Sequence, residues 1–196
     1  MVTALAVFRF FFYMLLNFDL DKAVAATAYI IERDGGQSDM FPLIKKVYLA
    51  DRSALIKWGN SITGDSFAAL EKGPIVSGIY NLVKGEGYEP DQIKWNDVIQ
   101  RRHPHTMFLR KHPDKGVLSE REKEVLEESR KTINAIRGSI PNWFHKNCRE
   151  WIDPGHSSTP IDPSVILRLA HKSEEDIRRL EEANEELRFL NYLLAR

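Results

Sequence analysis

The chain holds a single cysteine, Cys148, in 196 residues. One thiol cannot form an internal disulfide, and it excludes zinc and iron–sulfur sites built from several cysteines. An excess of charge is missing too: 28 Lys and Arg balance 28 Asp and Glu. No global field therefore draws the protein onto nucleic acid or an anionic membrane. A long hydrophobic run is also absent. The most apolar stretch is residues 1–17, MVTALAVFRFFFYMLLN. Arg9 interrupts it, and it falls short of the ~20 residues that span a bilayer. With no basic region ahead of it and no small-residue cleavage site behind, it does not read as a signal peptide. The favoured readings are a buried amphipathic N-terminal helix or an extension ahead of a true start at Met14, with a membrane anchor or signal as the third. There is no glycine-rich phosphate loop and no G-x-S-x-G elbow, so no cofactor is expected. One thiol fits a reducing compartment, and the cytoplasm is the expected location.

What is present is a globular composition, 43% hydrophobic and 29% charged, enough for one core. Leu20, Val24, Ala28 and Ile31 fall at helical spacing behind Asp19, and Asp34-Gly35-Gly36 ends that helix. A second helix is expected behind Ser38, with Pro42 in its first turn, running to about Trp58. Ser61–Thr63 and Phe67–Ala69 flank Gly64-Asp65 and read as a hairpin around a tight turn. Gly73-Pro74 then opens a helix carrying Ile75, Val76, Ile79, Tyr80 and Val83, and Gly85-Glu86-Gly87 stops it. Val98-Ile99 and Thr106–Leu109 suit strands around His103-Pro104-His105, and Pro113–Gly116 suits a turn. Ser119 and Glu122 form a capping box for a helix reaching Gly138. A short helix over Pro141–Trp151, a polar loop over Pro154–Pro163 and a last helical region opened by Asp162-Pro163 complete the chain. The expected fold is mainly α with a small β-hairpin component, a compact helical domain with a C-terminal helix.

A family resemblance emerges from five segments in order. They are Phe18-Asp19-Leu20-Asp21-Lys22, Leu43–Asp51, Ile62-Thr63-Gly64-Asp65, Lys72–Ser77 with Tyr80 behind, and Leu118-Ser119-Glu120, followed by His145 and Trp151. In that order and spacing the chain resembles the Panacea, or SocA-like antitoxin, domain, over roughly Asp19 to Trp151. The resemblance implies a mainly helical module of bacteria and phages that binds and neutralises a toxin encoded beside it. It also allows two alternatives, a phage-associated regulator or an adaptor that delivers its partner to a protease, and beside the resemblance the residues leave a metal-dependent enzyme as a less favoured reading. The family is not known as an enzyme, so no catalytic residue is expected. The division implied is an apolar extension (1–17), a Panacea domain (18–153) and a C-terminal helical region (162–196). The motif residues carried over, as partner-binding or structural positions, are Lys45, Tyr48, Asp51, Gly64, Asp65, Phe67, Gly73, Pro74, Tyr80, His145 and Trp151. One departure is Ile140-Pro141-Asn142-Trp143, where the family pattern leads into His145 through Ser and Thr.

Asp51 stands out on spacing alone. It lies on the same helix face as Ile44, Val47, Leu55 and Trp58, which places a carboxylate on a buried surface. Such a group needs hydrogen-bond donors, and backbone amides of the Gly64 segment or a tyrosine are the expected ones. Tyr48, Phe67 and Tyr80 are candidates to shape a docking surface. His103, His105 and His112 invite a metal reading, but Arg101, Arg102, Arg110 and Lys111 surround them and repel a cation. The same basic segment is the one place where nucleic acid could touch, and a solvated loop or a surface for an acidic partner explains it equally well. His145 and Cys148 share a helical face, a spacing that could activate a thiol or simply reflect neighbours in a core. Finally, Ser173 caps a helix in which Ile177, Leu180, Asn184, Leu187, Asn191 and Leu194 make a short heptad seam. That seam suits either a parallel homodimer or one amphipathic helix packed on its own domain.

Overall fold

The computed structural model describes residues 17–112 and 116–194. The extension ahead of Asn17, the start at Met14 and most of the Pro113–Gly116 turn lie outside the described residues. Eight helices and six short strands are described. The chain is mainly α with a small β component.

Helix α1 (Leu20–Arg33) begins where Asp19 accepts the Lys22 amide, and Gly35 and Gly36, at φ +92 and +89, take the chain out of it. Its alanines (Ala23, Ala26 and Ala28) are fully buried, and small side chains let neighbouring helices approach closely. β1 (Gln37–Asp39) follows, then α2 (Met40–Trp58). Ser38 is therefore a strand residue rather than the helix cap: it pairs with Met107, and its hydroxyl donates to Asp34. Helix α2 is the axis of the fold. Every residue from Leu43 to Asp51 is buried, lysines included, so each polar side chain on it must find a partner inside the protein.

The expected hairpin is displaced by one element. β2 (Phe67–Leu70) does form, but it pairs with β3 (Gly73–Val76) around Glu71-Lys72, not with Ser61–Thr63 around Gly64-Asp65. Gly73-Pro74 thus opens a strand and not a helix. Proline is tolerated there because β3 is an edge strand, where a missing N–H faces no neighbouring chain. α3 (Ser77–Lys84) starts only after Val76 and ends at Gly85, at φ +82. α4 (Glu89–Val98), which had no clear signal, buries Trp95 completely. β4 (Ile99–His103) and β5 (Thr106–Leu109) form the second expected hairpin and join β1 in the order β1-β5-β4.

The Ser119–Glu122 capping box is formed, and α5 (Glu120–Asn134) lays Val125, Leu126 and Ile133 against α1 and α2. It stops four residues short of Gly138. α6 (Ile140–Asn147) is capped by Ser139. The polar loop behind it hides β6 (Thr159–Ile161), which completes the sheet β3-β2-β6, and Asp162 then caps α7 (Pro163–Leu169). In the last helix, α8 (Glu174–Leu194), Ile177 is buried and Leu180 packs on the body against Gly59. Two residues of the heptad seam are therefore spent within the chain, while Leu187, Phe189, Leu190 and Leu193 are exposed. No described helix is long and apolar enough to cross a membrane.

Candidate functional site

Four polar residues on α2, Lys45, Tyr48, Asp51 and Arg52, reach three different parts of the chain. Asp51 is fully buried. Its Oδ1 accepts the amides of Ile62 at 3.0 Å and Thr63 at 3.1 Å, and its Oδ2 accepts the Thr63 hydroxyl. The expected role, tying the helix to backbone amides, is what the geometry provides. Burial pushes this carboxyl up to about 7, and the Thr63 and Ile62 donors offset that only in part. Asp65, next along the loop, accepts the Gly78 and Ile79 amides at 2.8 Å each. It acts as an N-cap for α3 supplied from a distance, satisfying amides left over in the first helical turn. Burial raises it to about 6.

Gly64 links these two carboxylates. It sits at φ +64, and a Cβ there would lie 1.9 Å from the carbonyl oxygen of Asn17. The contact seats the start of α1, whose Asp19 amide donates to the Thr63 carbonyl. Gly64→Val should therefore cost at least ~1–2 kcal/mol, from a forbidden backbone conformation and a clash with main chain. A thermal melt unchanged from wild type would contradict this placement.

Tyr48 donates to Glu150 Oε1 at 2.5 Å, and Arg52 grips the same carboxylate through Nε at 2.5 Å and Nη2 at 3.1 Å. Arg52 and the Tyr48 hydroxyl hold Glu150 below its usual range despite its burial. Neither Glu150 nor Arg52 was legible as a site residue. Their partnership spans 98 positions, and no local spacing announces it. Tyr48 also meets Phe67 and Phe144 edge-on, at 5.6 and 5.9 Å between ring centres. Tyr48 and Phe67 are core residues, and the expectation that they shape a surface is corrected. Of the three aromatics only Tyr80 is half-exposed.

Tyr80 lines a groove of about 420 Å³ between α2 and the β2–β3 turn, together with Phe41, Ile44, Lys45, Gly73 and Ile75. Lys45, Gly73 and Tyr80, three of the motif residues, thus meet at one surface feature. The Lys45 side chain crosses beneath it and donates from Nζ to the Pro74 carbonyl at 2.7 Å. A larger hollow between α5 and α6, lined by Ile136, Trp143 and Lys146 among others, includes none of the motif residues.

His145 stacks flat on Trp151, with ring centres 3.8 Å apart, and the Trp151 indole donates to the Leu70 carbonyl at 2.8 Å. The pair pins the segment after α6 to β2. His145 lies in α6 despite the unusual residues that lead into it, because Ser139 and Pro141 make a sound helix start. Cys148 is buried, and its thiol is pushed up to about 12 by that burial and by the Glu150 charge. It remains a thiol at neutral pH, the opposite of what an activated nucleophile needs.

The basic segment is partly neutralised. Lys111 pairs with Asp97, Arg110 donates to the Asn96 carbonyl, and His112 faces Glu32 at 3.0 Å. Arg101, Arg102, His103 and His105 stay exposed. Among the described residues no group of three His, Cys, Asp or Glu side chains is placed to hold a metal ion.

No match is found among curated proteins, and none among solved structures. A sequence profile of one family does match, over residues 43–152, from the start of the buried stretch of α2 to just past Trp151. That span covers more than half of the chain and takes in all eleven motif residues, from Lys45 to Trp151. The chain belongs to the family described as antitoxin SocA-like, Panacea domain.

Proposed function

We propose that the chain is a cytoplasmic, non-catalytic antitoxin that binds a toxin encoded beside it and neutralises it by holding it. The observation that carries this reading is membership of the family over residues 43–152. The chemistry of the motif residues agrees with it. Asp51, Asp65 and Glu150 are each occupied by donors from the protein itself, and the one thiol is driven towards its neutral form. Groups tied up in this way build a scaffold and leave recognition to the surface. On α8 the exposed Leu187, Phe189, Leu190 and Leu193 add area suited to a protein partner.

Co-expression tests the reading. The open reading frame adjacent to this one should arrest growth when induced alone and be tolerated when this chain is present. Equal toxicity with and without the chain would overturn the proposal. Turnover of a substrate by the purified protein would overturn its non-catalytic part. Sedimentation of the full chain beside a form truncated after Lys172 separates self-association through α8 from partner binding.

A further inference from the structure

Lys45 is 1% exposed, yet among the described residues no carboxylate pairs with it. Its ammonium has three donors. One is used by the Pro74 carbonyl at 2.7 Å. Around it stand the ring faces of Phe144, at 5.0 Å, and Phe41, at 5.4 Å, the second of them on the wall of the groove. Aromatic faces attract a cation but do not replace a counter-ion. Lys46, the other buried lysine of α2, pairs with Asp34, and the buried carboxylates Asp51 and Asp65 each accept at least two hydrogen bonds, whereas Lys45 makes one hydrogen bond, to a neutral carbonyl. At Lys45 the counter-charge is missing.

Lys45 is itself part of the groove's lining. Gly73 lies on its wall at φ +96, and a Cβ there would come within 3.1 Å of both the Lys45 Nζ and the Phe144 Cβ. A side chain at this position would crowd the amine, so glycine keeps the groove wall next to Lys45 thin. The remaining lining is mixed: Phe41, Ile44, Ile75 and Tyr80 give it apolar surface, and the exposed Glu71, Lys72 and His156 also line it, with His156 Nδ1 3.8 Å from the Glu71 carboxylate. A volume of about 420 Å³ falls within the range of ~300–1,000 Å³ that holds small ligands, and apolar surface beside a few placed polar groups is their usual chemistry; of the groove's charged side chains Lys45 alone is buried.

We propose that this groove binds a small monocarboxylate with an apolar body, its carboxylate taken by the Lys45 ammonium and its aliphatic or aromatic part lying along Phe41, Ile75 and Tyr80. A carboxylate completes the charge, uses the amine's remaining donors and buries apolar surface at the same time. Burial pushes the amine down to about 7, and an anion held against it favours the protonated form. The site stands on its own residues and does not depend on the antitoxin reading.

The test uses the full chain with 4-phenylbutanoate and its neutral amide as probes, read by calorimetry and by amide chemical shifts. The carboxylate should bind, shift the Gly73 and Ile75 amides, and raise the melting temperature, and the amide should bind at least tenfold more weakly. Lys45→Met, which replaces a buried unpaired charge by an apolar side chain of similar shape and should fold, should lose at least tenfold in affinity for the carboxylate and none for the amide. Equal binding of the two probes, full affinity in Lys45→Met, or no binding of the carboxylate at tens of millimolar would each overturn the proposal. So would a tripeptide with a free C-terminus that binds more than tenfold tighter, since the occupant would then be the end of a protein chain.

Discussion

Asp51→Ala will lower the free energy of unfolding by roughly 3–5 kcal/mol, while Asp51→Asn will cost ~1 kcal/mol or less at neutral pH. The alanine strands the Ile62 amide, the Thr63 amide and the Thr63 hydroxyl in a site with no access to water. Each buried donor left unsatisfied costs about 1–3 kcal/mol. Asparagine keeps an oxygen for the two amides and turns its own N–H towards the threonine oxygen, so the network survives without a charge. Guanidinium denaturation of the three proteins measures the difference. Equal losses in both variants would mean that the carboxylate charge, rather than its hydrogen-bond geometry, holds the loop.

The same network sets a pH dependence whose sign follows from linkage. Asp51 is pushed up to about 7 and Asp65 to about 6, from ordinary values of 3.8. The native state therefore keeps protons that the unfolded chain has released, and unfolding free energy falls as pH rises from about 4 through 7. Each unit of such a shift corresponds to about 1.4 kcal/mol. Against this, Glu127 is held at about 2, chiefly by Arg130, and Asp34 lies low beside Lys46 and Arg130. The stability those groups contribute is lost as pH falls below about 4. The protein should be more stable at pH 5 than at pH 8 by more than ~1 kcal/mol, and Asp51→Asn should flatten that difference. Identical pH profiles for wild type and Asp51→Asn would contradict the burial of a titrating carboxyl here.

What the sequence made legible was local. Asp19, the Gly35-Gly36 pair, the Ser119–Glu122 box and Ser173 mark helix ends because caps act within three or four residues. Asp51 could be placed on a buried face by its period against Val47 and Leu55. The errors lie where two local rules compete. Gly64-Asp65 satisfies a hairpin turn as well as the loop it forms, and Gly73-Pro74 suits a helix start as well as an edge strand. Long-range pairing decides both: Ala68 and Ala69 are buried between β3 on one side and β6, some ninety residues later, on the other. The Lys45 groove was half legible. Lys45, Gly73 and Tyr80 were named as motif positions, but nothing in their order says that they line one groove.

Glu150 is the clearest case of a residue that only the fold reveals, and its removal carries the second large prediction. Glu150→Ala will cost ~3–5 kcal/mol, because it leaves the Arg52 guanidinium and the Tyr48 hydroxyl without their shared acceptor in a largely buried site. Tyr48→Phe should cost less, ~1–2 kcal/mol, since Arg52 still satisfies both carboxylate oxygens. Replacing both charged partners, as Arg52→Met with Glu150→Leu, should recover part of the loss suffered by Glu150→Ala, because no unpaired charge remains. The double-mutant cycle then isolates a coupling energy that neither single variant reports. The effect extends beyond stability. Glu150 sits between Cys148, the cap of α6, and Trp151, whose indole reaches β2, so the bridge to α2 clamps the C-terminal end of the span matched by the family onto its central helix. Glu150→Ala should therefore also loosen the His145–Trp151 stack, read as a rise in Trp151 solvent exposure and faster exchange of the Cys148 amide. A variant that melts within ~1 kcal/mol of wild type, with those signals unchanged, would show that the segment is held by the Trp151 contact alone.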